Sequence, residues 1–322
     1  MTKIAVDADS GDGDKTKYGE GARIFLQDPA NQNHQVILFG NKKYLQKYEE
    51  QGKIQVVHSP RHPIRDAVKS VNQLEADVLV GLGDTKRTIV TAWNRLGLIK
   101  HLQAPFLATP LPGGNVISDV GAALDPSREL AYQMAIGAYV LATEFYGIKH
   151  PLITTVSTGE EPEKGDEFVK SLKLEQMLPD FEIAPFQLEG RDLVPNPKTR
   201  RIKRPCIGLV NGYAGNIALK IIEETGPLII ANWYPEFEML DALPLIGLEN
   251  GEVMIGHGNS DPQRIAGAYR NAAQYVPYKD RVRERLKEKI RRFPDADNNI
   301  GDSRLKRIIK QGIKKLALAV YE

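Results

Sequence analysis

The sequence predicts an α/β protein in which helices cover both faces of a mostly parallel sheet. Short apolar runs of strand length alternate with longer segments of helical spacing, which is the pattern of parallel βαβ units. Several strand candidates are apolar throughout, as expected for strands that are buried on both faces of a sheet. The chain has 322 residues and no internal repeat or low-complexity linker, which favours one large α/β body.

Nine segments are predicted to be strands because they are short apolar runs. In chain order they are Ile4–Val6, Val36–Phe39, Ile54–Val57, Val78–Val80, Phe106–Ala108, Val116–Asp119, Ile153–Val156, Cys206–Val210 and Val253–Ile255. Apolar residues at helical spacing predict four helices between these strands. The helices are Lys86–Leu98, Ser127–Tyr146, Lys164–Met177 and Ala214–Glu224. The basic segment Gly190–Pro205 is predicted to be an exposed loop before a buried strand.

The last part of the chain is predicted to be a basic helical extension, residues 279–322, beyond an α/β domain over residues 1–278. Its first amphipathic helix has an apolar stripe of Val282, Leu286, Ile290 and Phe293. Its second has a stripe of Leu305, Ile308, Ile309, Ile313 and Leu316. Two interpretations stay open: the helices pack on the body, or their basic faces dock an acidic carrier protein or anionic lipid.

Composition argues against several classes of protein. The 43 Lys and Arg residues nearly balance the 41 Asp and Glu residues, so nothing points to nucleic acid as a partner. The single cysteine, Cys206, permits no intramolecular disulfide and fits a reducing compartment. Met1 leads directly into a strand without a leader segment, and no apolar run approaches the roughly 18 residues of a membrane span. We therefore expect a cytoplasmic protein.

Glycine-rich loops follow six of the predicted strands. They are Asp7–Asp14, Gly81–Arg87, Asp119–Ala123, Ser157–Gly165, Asn211–Asn216 and Gly256–Asp261. Ligands of open parallel sheets bind at the carboxyl ends of the strands. Glycine lets backbone N–H groups approach a ligand, and a helix N-terminus adds partial positive charge. We expect all six loops to share one edge of the sheet and to form a crevice that binds phosphate or another oxyanion.

Seven short motifs lie in these loops or near them. They are Asp7-Ala8 with Gly11-Asp12, Gly83-Asp84-Thr85, Asp119-Val120-Gly121-Ala122, Gly159-Glu160-Glu161 with Lys164-Gly165, Glu189-Gly190-Arg191-Asp192, Gly212-Tyr213-Ala214-Gly215-Asn216 and His257-Gly258-Asn259-Ser260-Asp261. Their order and spacing resemble those of the PlsX family of phosphate acyltransferases over about residues 3–275. The pattern Gly-Glu-Glu-x-x-Lys-Gly is the most specific of them.

The resemblance implies a three-layer α/β/α homodimer with an isocitrate and isopropylmalate dehydrogenase-like fold. It implies an acyltransferase that converts acyl-[acyl-carrier protein] and inorganic phosphate to acyl-phosphate for phospholipid synthesis. The implied acyl donor is acyl-carrier protein or acyl-coenzyme A, with peripheral contact to the membrane as a further expectation. No cofactor and no metal is expected.

Because phosphate is itself the nucleophile in this reaction, the site needs no catalytic Ser or Cys. It has to position the two reactants and to stabilise the oxyanion that forms. The candidate catalytic residues are Lys164, Glu161, His257 and Asn216. The candidates for binding phosphate or the acyl group are Asp7, Gly11, Asp12, Gly83, Asp84, Thr85, Lys86, Asp119, Gly159, Glu160, Arg191, Gly215 and Ser260.

Several of these residues also have a purely structural interpretation. Glu160 and Glu161 suit the first turn of a helix, with Lys164 as their surface partner. The adjacent residues Arg191 and Asp192 suit an ion pair. His257 is equally suited to a hydrogen bond within its loop. Asp7 and Asp119 are placed where helix caps occur, and Cys206 suits a buried core position.

Three departures from the family pattern are visible. Lys86 and Arg87 replace two small residues of a Gly-Asn-Thr-Gly-Ala loop, Leu111–Asn115 differs from the usual Leu-Pro-Thr stretch, and Ala123 replaces an Asn. The segment Ile217–Gly251 is too short for the family's long helical hairpin. A divergent relative that uses another acyl thioester, or one that binds ligands without catalysis, therefore remains an alternative.

Overall fold

The computed structural model describes residues 1–161 and 163–292, and eleven strands of this part form a single sheet. In chain order the strands are β1 (Lys3–Asp7), β2 (Gln35–Gly40), β3 (Ile54–His58), β4 (Val78–Gly81), β5 (Phe106–Pro110), β6 (Val116–Ser118), β7 (Leu152–Ser157), β8 (Leu188–Glu189), β9 (Cys206–Leu209), β10 (Ala242–Ile246) and β11 (Val253–Gly256). Their order across the sheet is β3-β2-β1-β4-β11-β10-β5-β6-β9-β7-β8.

Eleven α-helices accompany these strands in the described ranges. They are α1 (Thr16–Gln27), α2 (Lys42–Leu45), α3 (Pro63–Asn72), α4 (Thr85–Leu96), α5 (Arg128–Glu144), α6 (Glu167–Ser171), α7 (Leu174–Met177), α8 (Gly190–Leu193), α9 (Gly212–Trp233), α10 (Pro262–Tyr275) and α11 (Lys279–Arg292). None of these helices combines the length and the apolar character needed to cross a bilayer.

Buried apolar residues form two cores, one on each face of the sheet. Helices α1, α5, α10 and α11 contribute to the first core, in which Tyr18, Phe25 and Tyr269 are fully buried. Helices α3, α4 and α9 contribute to the second core, which includes Leu96 and Leu219. The result is the predicted arrangement of helix layers on both faces of the sheet, which is thereby confirmed.

The sheet reverses its direction near the middle. Strands β3, β2, β1, β4 and β11 are mutually parallel neighbours. Strand β10 is antiparallel to both β11 and β5, and β5 is antiparallel to β6. Strands β6, β9, β7 and β8 are again parallel to one another. Consequently β6, β7 and β9 run opposite to β1, β4 and β11.

All nine predicted strands are present, and two further strands were not predicted. Strand β10 contains Pro244, and a proline within an apolar run argues against a strand because it removes a ladder donor. The strand forms nevertheless, with Pro244 opposite Met254 of β11. Strand β8 has only two residues and carries no pattern of its own.

Two helix predictions differ from the structure in extent. The single helix predicted over Lys164–Met177 is replaced by the short helices α6 and α7, separated by an extended residue at Leu172. Helix α9 continues to Trp233 although Gly226 and Pro227 suggested an end near Glu224. Pro227 is exposed, and its ring removes one backbone hydrogen bond from the interior of α9.

The segment Gly190–Pro205 is not a fully exposed loop, because it begins with α8 and buries Asp192 and Leu193. At the end of the described chain, α11 places Val282, Leu286 and Ile290 in the first core. The stripe of the first predicted C-terminal helix therefore packs on the body, as far as Ile290. The second predicted helix, from Leu305 to Leu316, lies outside the described residues, and the domain division at residue 278 stays a prediction.

Candidate functional site

The six glycine-rich loops form two groups at opposite ends of the strands. Strands β6, β7 and β9 run opposite to β1, β4 and β11. The carboxyl ends of these two sets of strands therefore lie at opposite ends of the sheet. The prediction of one shared edge assumed that all six strands are parallel, and it is wrong. Helix α9 joins the two groups, because it begins in one group and passes beside the other.

The first group forms a cleft of about 910 Å³, which we call the glycine cleft. Its walls come from Ser10–Asp12 after β1, Gly83–Lys86 after β4 and His257–Asn259 after β11. Arg264 of α10 and three residues of α9 complete the lining, and these three are Lys220, Glu223 and Glu224. The glycine cleft therefore brings together Gly11, Asp12, Gly83, Asp84, Thr85, Lys86 and His257 from the predicted set.

Glycine is required at Gly11 because three loops meet there. A Cβ atom on Gly11 would overlap the Tyr18 hydroxyl and lie 2.6 Å from the carbonyl oxygen of Leu82. It would also lie 3.0 Å from the carbonyl oxygen of Gly258. The Asp12 N–H donates to that same Gly258 carbonyl at 3.2 Å, which ties the loop after β1 to the loop after β11.

Cations surround the glycine cleft. Lys17 donates from Nζ to the Gly258 carbonyl at 2.6 Å, and Lys15 donates to the Gly11 carbonyl. Lys86, Lys220 and Arg264 line the cleft itself. Helix α4 begins at Thr85 and α10 begins at Pro262, so two helix N-termini lie at this cleft. Four carboxylates also line the cleft, those of Asp12, Asp84, Glu223 and Glu224, so an anion site there depends on the cations and the helix N-termini.

His257 is oriented by a carboxylate from the facing helix. Its Nε2 lies 2.9 Å from Oε1 of Glu223 on α9, and the Glu223 side chain is only 18% exposed. His257 therefore does more than bond within its own loop, which was the structural interpretation of its sequence pattern. The pair holds an imidazole at the wall of the glycine cleft, where it can donate a hydrogen bond or a proton.

Asp7 and Ser260 lie beneath the cleft wall and do not line the cleft. Both are buried, and Asp7 Oδ1 accepts the backbone N–H of Ser10 at 3.1 Å. Burial raises the pKa of the Asp7 carboxyl, although hydrogen bonds from Ser10 and Asp9 partly oppose this. Asp84 caps α4 by accepting the N–H of Arg87 at 2.9 Å. These residues shape the loops that form the glycine cleft.

The second group of loops is organised around Asp119, which is fully buried after β6. One carboxylate oxygen accepts the N–H of Leu107 at 2.7 Å, and the other accepts those of Gly121 and Ala123. Burial raises the pKa of Asp119, and the backbone N–H groups partly lower it. Asp119 thus folds this loop and caps no helix.

Helix α9 begins against this loop. A Cβ atom on Gly215 would overlap the backbone carbonyl oxygen of Asp119, so glycine is needed for the close approach. Asn216 donates from Nδ2 to the Val120 carbonyl at 3.3 Å. Asn211 caps the helix and donates to Asp166 of the loop after β7 at 2.8 Å. The loops after β6, β7 and β9 therefore meet at the start of α9.

The loop with Gly159, Glu161 and Lys164 is exposed in this second group. A Cβ atom on Gly159 would lie 2.6 Å from a Glu161 carboxylate oxygen and 3.0 Å from Lys164 Cγ, so both side chains cover this glycine. The Lys164 N–H donates to the Glu161 carbonyl at 2.9 Å. Glu160 and Glu161 precede α6 by several residues and are not in a helix turn, contrary to their structural interpretation.

Arg201, which the sequence placed only in an exposed loop, anchors this region. It forms an ion pair with Glu160 and a second with Asp192, whose oxygen lies 2.5 Å from the guanidinium. The sequence suggested an ion pair between the neighbours Arg191 and Asp192, but Asp192 pairs with Arg201 instead. Arg191 pairs with Glu189 at 2.9 Å and has a side chain that is 69% exposed.

One side of α9 connects the two groups. Asn216, Lys220, Glu223 and Glu224 are spaced by three or four residues and therefore lie on one side of the helix. Asn216 contacts the loop after β6, whereas Lys220 and the two glutamates line the glycine cleft. The distance along the axis from Asn216 to Glu224 is about 12 Å, at 1.5 Å per residue. A ligand of moderate length spans this distance.

Sequence reasoning missed the contribution of α9 to the site. Lys220, Glu223 and Glu224 belong to no recognised motif, and only their spacing from Asn216 signals that they share a face. Lys15 and Lys17 were also missed, because they support the loops through backbone carbonyls.

Comparison with known proteins identifies relatives over most of the chain. A family model described as fatty acid synthesis protein matches residues 21–231. A phosphate acyltransferase from Desulforudis audaxviator (strain MP104C) is 27% identical over 85% of this chain and 92% of its own length. A phosphate acyltransferase from Campylobacter jejuni subsp. doylei is 29% identical over 85% of this chain and 94% of its own length.

Solved structures support the fold. A branched-chain phosphotransacylase from Enterococcus faecalis V583 superposes with a TM-score of 0.64 at 16% identity, covering 86% of this chain and 100% of that chain. At this identity the likeness concerns the fold alone. It supports the predicted α/β fold with helix layers on both faces of the sheet.

Proposed function

This chain belongs to the fatty acid synthesis protein family and is similar to proteins described as phosphate acyltransferases, and we propose that it makes acyl-phosphate. The proposed substrates are inorganic phosphate and an acyl thioester of acyl-carrier protein. The proposed product serves phospholipid synthesis. The observation that carries this proposal is the glycine cleft, where two helix N-termini and three cationic side chains lie at one cavity.

In the proposed reaction a phosphate oxygen attacks the carbonyl carbon of the thioester. A C–O bond forms, and the carbonyl oxygen becomes an oxyanion in a tetrahedral intermediate. The intermediate collapses by re-forming the carbonyl and breaking the C–S bond, and the leaving thiolate takes up one proton while the attacking hydrogenphosphate loses one. Because the nucleophile is supplied as a substrate, the protein acts by positioning the reactants and by stabilising the oxyanion.

We assign inorganic phosphate to the glycine cleft. Lys86, Lys220 and Arg264 supply positive charge there, and the N-termini of α4 and α10, which are capped by Asp84 and Asp261, add partial positive charge. The change from small residues to Lys86 and Arg87 adds charge at the edge of this cleft. Its effect in this proposal is to strengthen the anion site.

We assign His257 to the leaving sulfur, to which it donates a hydrogen bond as the C–S bond breaks. The carboxylate of Glu223 accepts from the other side of the imidazole and fixes its orientation. General acid catalysis by a positioned histidine contributes about 10²–10⁴ in rate in enzymes. His257 acts on the substrate in this scheme, and Glu223 acts through His257.

We assign the acyl donor to the second group of loops. Lys164 and Arg191 are exposed there, and acyl-carrier proteins and coenzyme A are both anionic partners for exposed cations. Asn216 lies at the start of α9, on the side that leads to the glycine cleft. In this proposal the side-chain amide of Asn216 stabilises the thioester oxyanion. Glu161 positions Lys164, because both side chains cover Gly159.

The experiment is an assay of the purified full chain with acyl-carrier protein thioesters of several chain lengths and radiolabelled phosphate. We expect free carrier thiol and labelled acyl-phosphate in equal amounts, with no thiol released when phosphate is omitted. A parallel series with acyl-coenzyme A separates the two donor classes. Absence of thiol release with every thioester contradicts the proposal and favours a relative that binds ligands without catalysis.

A further inference from the structure

A groove with apolar walls lies on the other side of α9 from the glycine cleft. Its volume is about 760 Å³, which is within the usual range for small-molecule sites. Helix α9 contributes Ala218, Ile221, Ile222, Ile229 and Trp233 to one wall. The opposite wall includes Leu193, Val194 and Pro195 of the segment after α8. None of these residues has a part in the reaction proposed above.

The position of the groove on α9 shows that it is separate from the glycine cleft, although Arg191 of the proposed acyl-donor site also lines it. Ala218, Ile222, Thr225 and Ile229 are spaced by three or four residues and form one stripe along the helix. Lys220 and Glu224 each fall two residues after a member of this stripe, a step that turns about half-way around a helix. The glycine cleft and the groove therefore use opposite sides of α9.

Three arginines give the groove a cationic wall. Two of them already pair with carboxylates. Arg191 pairs with Glu189, and Arg201 pairs with Asp192 and Glu160. Arg200 donates from Nε to the Ile202 carbonyl and has no carboxylate partner within residues 1–161 and 163–292. A partly buried guanidinium without a counter-charge is a binding group for a phosphate or carboxylate.

From the apolar walls and the unpaired cation we infer that this groove binds a single-chain amphiphile with an anionic head. The alkyl chain lies along α9 between its isoleucines and Leu193, and the head contacts Arg200. Both a fatty acid and an acyl-phosphate have this chemistry. The inference does not require that the chain be an acyltransferase, because it rests on the groove alone.

The test is a binding measurement with alkyl phosphates of eight, ten and twelve carbons, each below its micelle concentration, on the full chain. Titration calorimetry gives the dissociation constant, and Trp233 fluorescence reports occupancy, with Trp233→Phe as the check that the signal comes from the groove. We expect affinity to rise by up to about fourfold for each added methylene. The n-alkanol of equal length, which lacks the anion, is expected to bind at least about tenfold more weakly.

Neighbouring residues of α9 provide a matched pair of variants. Ile229 lines the groove, whereas Leu228 is 74% exposed and outside it. We expect Ile229→Asp to weaken decyl phosphate binding about tenfold or more, and Leu228→Asp to leave it within about twofold. Ala218→Phe, which fills the groove without adding charge, is expected to weaken binding as well.

Arg200→Gln tests the head group. We expect it to reduce binding of decyl phosphate about tenfold and to leave decanol binding unchanged, and decanoate in place of decyl phosphate distinguishes the two kinds of anionic head.

Several results would overturn the inference. They are equal loss of binding in Leu228→Asp and Ile229→Asp, affinity that is independent of chain length, or a groove variant that changes the oligomeric state in light scattering. The last result would identify the groove as a contact between two copies of the chain. Turnover without amphiphile binding contradicts this inference alone, and amphiphile binding without turnover contradicts only the proposed acyltransferase function.

Discussion

Replacing Glu223 with Gln changes one atom of the group that orients His257. The His257–Glu223 contact of 2.9 Å becomes a hydrogen bond to a neutral amide, and the size of the side chain is retained. Hydrogen bonds to charged groups contribute about 1.5–3 kcal/mol, and neutral ones about 0.5–1.5 kcal/mol. The difference is about 1 kcal/mol, which corresponds to about a fivefold loss of kcat if the interaction is made only in the transition state.

The assay is steady-state thiol release at saturating phosphate, for the parent chain and three single variants. We expect His257→Ala to lose about 10²-fold or more in kcat, and Glu223→Gln to lose about fivefold. Glu224→Gln is the matched control, because Glu224 lines the same cleft and the substitution removes the same charge. Glu224 has no contact with His257 in the structure. Its kcat is expected to stay within about twofold of the parent.

The double variant decides whether Glu223 acts through His257. In the His257→Ala background the Glu223→Gln change is expected to have no further effect, because the group that Glu223 orients has been removed. The reasoning is refuted if the two losses multiply, or if Glu224→Gln reduces kcat as much as Glu223→Gln. Either result would mean that the charge of the cleft matters and the orientation of the imidazole does not.

Further predictions concern anion binding, packing and pH. Lys164→Ala is expected to raise the KM for the acyl thioester several-fold. Because the Lys164 side chain is exposed, the free energy of unfolding is expected to change by less than about 0.5 kcal/mol. Equal loss of stability and activity would mark Lys164 as structural. Gly215→Ala is expected to lower the free energy of unfolding by more than about 2 kcal/mol in urea denaturation, since its Cβ overlaps the Asp119 carbonyl, and a change below about 0.5 kcal/mol would show that α9 moves freely. Burial raises the pKa of Glu252 to about 7, with the nearby Arg283 opposing the shift. Because the unfolded chain releases this proton near pH 4.5 and the folded chain near pH 7, the contribution of Glu252 to the free energy of unfolding falls by up to about 3 kcal/mol between these values and is constant above them. Denaturation curves at pH 5 and pH 8 check this, and Glu252→Gln is expected to remove most of the difference.

The sequence was sufficient to predict the α/β class and nine of the strands, because buried parallel strands leave continuous apolar runs. The family relationship was also predictable, since the loop motifs are local and keep their order along the chain. Strand β10 was not predictable from the sequence, because Pro244 argues against a strand unless the antiparallel pairing with β11 is known. The opposite placement of the two groups of loops follows from the antiparallel pairing of β5 with β6, because β10 is antiparallel to both of its neighbours and leaves them parallel to each other.

The composition of the site was only partly predictable for a similar reason. Asp119 and Asp84 resemble ligand-binding residues in sequence, yet their oxygens accept backbone N–H groups in the structure. Conversely Glu223 and Arg201 lie in unremarkable local sequence and acquire their partners through contacts between distant segments. Local patterns indicate which loops are unusual, whereas the fold decides which side chains face a ligand.

The most direct test of the central claim is steady-state transfer from an acyl-carrier protein thioester to radiolabelled phosphate, with the Lys220→Ala variant beside the parent chain. The account predicts one labelled acyl-phosphate for each thiol released, and a KM for phosphate that is raised at least about tenfold in Lys220→Ala with little change in the KM for the thioester. Thiol release that does not depend on phosphate would contradict it. An unchanged phosphate KM in Lys220→Ala would place the phosphate outside the glycine cleft.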